Sequence, residues 1–387
     1  MTEAPVSDRI VTRAWAKWSW LLVLAVIVAL SLDYHCRRLP TTASGYFARG
    51  RADYLRAEYQ SAIGNFTRSI ELDPKDAEGY IWRGEAHAKL QEFEQARSDL
   101  ARALALRPDY AKSHAAEADG RAAEWNVPGA IEEFTRAIEL DSEYGRCYLE
   151  RGKMFLDSKR YDDAVTDLRR ASGLTINDYR ITAQLLLWVA RANAGDRAGA
   201  NAEIASVVPF GMMKQDRFRN AVRFLTDEID EPAYLEEATS PRSGTDDRVH
   251  AEAFYLAAAK RILGNDGAGA LGLLRRALDT DPDGSSGYER ARVELADMLL
   301  GLQVKRADGP GLVVTSIRPG GPAEAAGLKP GTTISAIRGA AADQDAFVEA
   351  LGSVEPGSTV AVQVVDASGT TTSVALGVRL DSSAPTR

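Results

Sequence analysis

Four alanines, Ala62, Ala96, Ala130 and Ala164, follow one another at intervals of 34 residues, and no other feature constrains the fold so tightly. A repeat of about this length means a stack of small units, since one unit alone cannot bury its apolar face. Further columns keep the same step. Gly50, Gly84, Ala118 and Gly152 form one, Tyr46, Tyr80, His114 and Tyr148 a second, and Phe66, Leu100, Phe134 and Leu168 a third. Tyr59, Phe93, Val127 and Tyr161 form a fourth, and Leu72, Leu106, Leu140 and Leu174 a fifth. Small residues at matching places let two helices approach closely, and the rings fill the space between them. Pro74 and Pro108 stop the second helix of their units, because proline has no N–H to donate and clashes with the preceding turn.

These columns resemble the tetratricopeptide repeat (TPR) family, which implies a mainly α protein, an α-solenoid of helix-turn-helix units. Residues 43–207 carry units one to five, the fifth being degenerate around Gly195-Asp196-Arg197 and Ala200. Residues 208–248 read as a non-repeating helix, Met212 to Ala238, and a flexible hinge, Thr239 to Arg248. Residues 249–300 read as a sixth unit, with Ala258, Gly264, Ala270 and Pro282 in step, and a capping helix, Tyr288 to Leu300. The resemblance implies that the first helix of each unit lines a concave groove that holds partner proteins. Its lining positions fall on Phe47, Arg51, Tyr54, Ile81, Glu85, Asp119, Arg146, Leu149 and Lys153. Taken singly, each is equally at home on a solvated helix face. The chaperone-binding subclass carries Lys and Asn where this chain has Phe47 and Arg51, so chaperone tails are not expected partners.

The chain of 387 residues has a formal net charge of −8. Phosphate backbones are held by basic faces, so this balance argues against nucleic acid as a partner. Cys36 and Cys147 lie in different regions and read as free thiols, not as a disulfide framework.

Trp18 to Leu32 is a run of 15 residues without a charge. As a helix it spans about 22 Å, short of a hydrocarbon core of about 30 Å. Counted from Ala14 the run has 19 residues. That gives about 28 Å, with Lys17 able to snorkel to the headgroups. Trp15, Trp18, Trp20 and Tyr34 stand where interfacial aromatic belts belong. Asp33-Tyr34-His35 offers no small-residue cleavage site, so residues 14–32 are expected to persist as a transmembrane signal anchor. A tail (1–13) precedes it and a linker (33–42) follows. Arg9, Arg13 and Lys17 before the span nearly balance Arg37, Arg38, Arg49 and Arg51 after it. The short basic tail favours a cytoplasmic N-terminus, which puts the repeats in the periplasm of a bacterial inner-membrane protein. The opposite orientation is the alternative.

After Leu300 the chain changes character. Period-two alternation appears in Gly311 to Ile317 and in Thr359 to Val365, with turn residues between. The run Gly321-Pro322-Ala323-Glu324-Ala325-Ala326-Gly327-Leu328-Lys329-Pro330-Gly331, followed by Ile334 to Gly339 and a short helix from Asp343 to Leu351, is similar to the PDZ domains of bacterial HtrA-type and carboxy-terminal processing proteases. That resemblance implies a small α/β domain over residues 301–380, before a tail (381–387). It also implies capture of extended peptide C-termini by strand addition. Leu300 and Gly301 take the place of the carboxylate loop, Leu302, Gln303 and Val304 that of the strand pairing with ligand. Phe347, Val348 and Leu351 would wall the pocket, though each is equally explained as core. Thr332 stands where the family usually has Asp.

No metal-ligand spacing, phosphate loop or nucleophile elbow appears, so no catalytic residue, metal or cofactor is expected. His87 and His114 occupy repeat positions where rings pack. Two functions of different class fit: a membrane-anchored scaffold that binds proteins through the TPR groove and peptides through the PDZ groove, or a substrate-presenting subunit of an envelope protease or peptidoglycan hydrolase.

Overall fold

The computed structural model describes residues 41–207, 212–240, 247–280, 286–366 and 369–380. The expected transmembrane segment 14–32, both tails and the middle of the expected hinge lie outside them. Among the described residues, no helix is long and apolar enough to cross a membrane. The described chain forms two compact units, divided after Leu106.

The first unit is two helix pairs: α1 (Ala43–Leu55) with α2 (Tyr59–Leu72), and α3 (Ala77–Lys89) with α4 (Phe93–Leu106). Side chains start the helices where the orphan amides need acceptors. Thr42 Oγ1 accepts from the Gly45 amide at 3.2 Å, and Asp76 Oδ1 from the Glu78 amide at 3.1 Å. The glycine and aromatic columns explain each other. A Cβ on Gly50 would lie 2.7 Å from the Phe66 ring, and one on Gly84 would lie 3.0 Å from the Leu100 side chain. Ala62 and Ala96 are buried on the facing helix.

The second unit continues the pattern with α5 (Ala111–Ala123), α6 (Val127–Leu140), α7 (Gly145–Asp157), α8 (Tyr161–Leu174), α9 (Asn177–Asn193) and α10 (Arg197–Ala205). Arg151 clamps α8 by donating from Nε and Nη2 to the two carboxylate oxygens of Asp167, at 2.7 and 2.9 Å, and from Nη1 to Thr135 Oγ1 at 3.0 Å. The single helix expected over Met212 to Ala238 is two, α11 (Met212–Leu225) and α12 (Glu231–Ala238). The break has a local cause. Asp227 is left-handed at φ 64°, and Asp230 accepts from the Ala233 amide at 3.0 Å ahead of a helix with Pro232 in its first turn. The Phe224 and Tyr234 rings then stack at 4.5 Å and hold the pair together.

Helices α13 (Asp247–Leu263), α14 (Gly267–Thr280) and α15 (Ser286–Leu300) complete the solenoid, with α15 packed on α13 and against α7. Directly after α15 comes a small sheet domain: β1 (Leu302–Arg306), β2 (Leu312–Ile317), α16 (Pro322–Ala325), β3 (Thr333–Ile337), β4 (Ala340–Ala341), α17 (Gln344–Ser353), β5 (Thr359–Val365) and β6 (Thr371–Gly377). The antiparallel order is β1-β2-β3-β5-β6, with β4 paired to β3. Period-two burial decides which face is core: Val360, Val362 and Val364 point in while Thr359, Ala361 and Gln363 are exposed. The turn at Thr332 closes without the family's Asp, its hydroxyl accepting from the Lys329 amide at 3.3 Å.

Candidate functional site

Strand β1 is an edge of the sheet, and α17 is the helix of the same small domain that carries Phe347 and Leu351. Helix α17 starts at Asp343, whose Oδ1 accepts from the Ala346 amide at 2.8 Å. Gln344, Phe347 and Leu351 are three and then four residues apart and share one face. Leu300, Leu302, Val304, Phe347 and Leu351 are all buried. Gly301 is left-handed at φ 67°. Its amide donates to the Ala296 and Asp297 carbonyls, both at 3.0 Å, so it caps α15, and its carbonyl accepts from the Arg318 amide at 2.8 Å. A Cβ there would lie 3.2 Å from both Gly321 Cα and Pro322 Cδ. The residue placed in the carboxylate loop by resemblance therefore also ends a helix, and both demands favour glycine.

The third repeat turn meets this site. The Arg306 amide donates to the Glu124 carbonyl at 2.8 Å, and Gln344 Nε2 donates to the Ala123 carbonyl at 3.0 Å. The Trp125 ring lies 6.0 Å from the Phe347 ring, and the Arg292 guanidinium sits 3.8 Å from the centre of the same indole. Gln303 of β1 donates from Nε2 to the carbonyl of Asp157, the last residue of α7 before the fourth turn, at 2.9 Å.

The repeat positions behave differently in the two units. In the first, Trp82 gathers them: Tyr54 meets its ring edge-on at 5.3 Å and the Arg51 guanidinium stands 5.1 Å from its centre. Phe47 packs on Phe66 at 5.8 Å, Glu85 is half-buried on the same helix as Trp82, and Ile81 is buried outright. In the second unit, Arg146 donates to Asp119 at 2.5 Å, and Lys153 to Glu150 at 2.8 Å. Burial pushes the Asp119 carboxyl above the usual range even though Arg146 opposes it. Burial acts on Glu150 in the same sense, but Lys153 and Arg146 outweigh it and hold that carboxyl below the usual range. Leu149, expected to face a groove, is 0 % exposed.

Sequence reasoning passed over Trp82, Trp125, Glu124, Arg306 and Gln344. One signal was present: Ala57, Gln91, Trp125 and Lys159 share a 34-residue column, and all four are left-handed at φ 57–60°. Only the backbone unites them, so a search for side-chain likeness misses the column.

His87 and His114 are structural. His114 Nδ1 pairs with Glu133 at 2.8 Å and its Nε2 lies 3.2 Å from the Pro108 carbonyl, while His87 pairs with Glu92 at 2.5 Å. Among the described residues, no group of three His, Cys, Asp or Glu side chains is placed to hold a metal. Burial pushes the Cys147 thiol up to about 12. Since the thiolate is the reactive form, Cys147 should resist iodoacetamide at mildly alkaline pH in the folded chain and be modified once denatured, as peptide mass mapping would read. Rapid native labelling would contradict its burial.

Comparison with known families matches a PDZ domain model to residues 298–375 and tetratricopeptide repeat models to residues 77–110 and 116–179. No curated protein sequence matches the chain. Among solved structures, a thermophilic TPR protein of Thermus thermophilus is 18% identical, covering 47% of this chain and 100% of its own, at a TM-score of 0.40. PilW, a widely conserved type IV pilus biogenesis factor, is 13% identical, covering 65% and 99%, at 0.42. The first TPR of Spaghetti, solved with an HSP90 peptide, is 24% identical, covering 30% and 94%, at 0.28. Repeat columns, helix pairs, edge strand and family matches agree: the chain carries tetratricopeptide repeats and ends in a PDZ domain, the modules of a protein-interaction adaptor.

Proposed function

We propose that this adaptor is tethered to a membrane by residues 14–32, with its repeats and PDZ domain on the periplasmic side of a bacterial inner membrane. The observation that carries the adaptor reading is the edge strand β1 in the same small domain as α17, the arrangement to which an extended peptide adds as a further strand. Arg51 and Tyr54 around Trp82, with Phe47 on Phe66, supply an aromatic and cationic face for a protein partner. Two modules on one chain favour partners that engage both, because the second contact forms at the high effective concentration set by the first. The span itself rests on its length, the uncharged run from Trp18 to Leu32 and its tryptophans.

A periplasm-active phosphatase fused after Arg387 should be active in a bacterial host, and a fluorescent protein that matures only in the cytoplasm should stay dark. The reverse pattern would place both modules on the cytoplasmic face. In-cell crosslinking of the full chain tests the adaptor reading: partners should be lost when β1 is altered by Val304→Pro, since proline removes an edge donor. An unchanged set of partners would remove the PDZ edge from the function.

A further inference from the structure

We propose that the turn Ala123–Trp125 is the intramolecular occupant of the PDZ groove, and that the peptides this groove fits are extended segments with an aromatic side chain that displace Trp125. The inference rests on the reading of β1 and α17 as a peptide site.

The turn engages both walls at once. On the strand wall it takes the Arg306 amide through the Glu124 carbonyl, and on the helix wall it takes Gln344 through the Ala123 carbonyl. Between these polar contacts the Trp125 ring rests on Phe347, the same residue that would receive a ligand side chain. Strand β1 has β2 on one side, so an amide bonded to Glu124 is directed at its open side, where an incoming strand would need it. Occupant and peptide thus compete for one donor and one aromatic contact. The backbone supports a role beyond the turn. Trp125 is left-handed at φ 59°, a conformation that bulky side chains rarely adopt, and it is buried to 5 % exposure. The same position in the first, second and fourth units holds Ala57, Gln91 and Lys159, so the turn does not itself require a ring. Lys159 closes the neighbouring turn onto Asp297 of α15 at 2.5 Å, which holds the occupied arrangement from a second point.

The test uses the full chain in detergent micelles, as parent and as Trp125→Gly. Glycine takes positive φ without strain, so the variant removes the ring and keeps the turn. Trp125→Asn, which also tolerates this backbone, serves as the second variant if glycine loosens the repeat. The first readout is hydrogen exchange across residues 302–306, expected to be faster in the variant while the helices of the repeats stay protected. The second is binding of a labelled synthetic peptide with the sequence of residues 120–129, beside a control in which its tryptophan is glycine. If the groove is open in less than about one tenth of parent molecules, opening it raises apparent affinity by at least about tenfold. The proposal expects that gain for the tryptophan peptide and no binding of the control. Unchanged exchange in β1 overturns the occupant. Faster exchange with equal peptide binding to parent and variant overturns the competition and leaves the groove a peptide site. Faster exchange with binding to neither overturns the displacement and the peptide reading together.

Discussion

Gly287→Val is expected to lower the melting temperature of the chain by about 6–12 °C, because it should cost about 3 kcal/mol or more. Helix α15 crosses α13 at this glycine. A Cβ there would lie 2.5 Å from Ala251 C and Glu252 N, and 2.6 Å from the Ala251 carbonyl oxygen. All three are backbone atoms, so no rotamer change relieves the clash, and the helices must move apart. Separation would loosen Leu295, Leu299 and Ala258, which are fully buried. It would also reach the sheet, since α15 runs into β1 with Gly301 alone between them. Gly287→Ala meets the same three atoms and should show a smaller loss of the same kind. A melting curve that matches the parent for both variants would mean that the α13–α15 crossing is wider than described.

Leu149→Ala is expected to destabilise the fold by about 2–5 kcal/mol, the range for truncating a fully buried leucine. Against a total stability of about 5–15 kcal/mol this is a large fraction. It should appear as a lower denaturant midpoint with an unchanged slope. The side chain is 0 % exposed and belongs to a core shared with Phe155, Leu168 and residues of α13 and α15. Surface substitutions usually stay within about 0.5 kcal/mol, so a neutral result would return Leu149 to the binding face that the repeat pattern first assigns it.

The contrast between Ile81, Leu149 and Arg51 shows how far sequence reading reaches. The 34-residue columns state which residues pack within a helix pair, because that packing repeats with every unit. Gly50 against Phe66, Gly84 against Leu100 and Gly152 against Leu168 follow from them directly. Outside the columns, period-two alternation places β5, read as Thr359 to Val365 and found at those residues, and the short helix read from Asp343 is α17, capped by Asp343. What the columns cannot state is what lies against the helix face that turns away from its own pair. Leu149 is buried in a core that takes in residues of α13 and α15, and α15 packs against α7, whereas Arg51 is exposed. Contacts across 146 and 221 residues, Gln303 to Asp157 and Gln344 to Ala123, leave no periodic trace. The positive φ of Trp125 recurs every 34 residues but in backbone alone, because four unlike side chains share it. Of the residues chosen for the PDZ groove, Gln303 reaches the repeats by a hydrogen bond to Asp157, Phe347 by a ring contact to Trp125, and Gly301 caps α15 through its amide.

The distance of 221 residues between Ala123 and Gln344 is also an interval of time. At about 5–20 residues per second, a ribosome that has released the third turn needs about 10–45 s to deliver the helix that covers it. Through that interval Trp125 stands on a folded repeat with no Phe347 to meet, and until Arg292 is made its indole lacks the guanidinium contact as well. A message cut short before Gln344 makes that state permanent. Its product would carry an intact repeat pattern and still be prone to aggregate, since Trp125 would lack the helix that meets it in the folded chain.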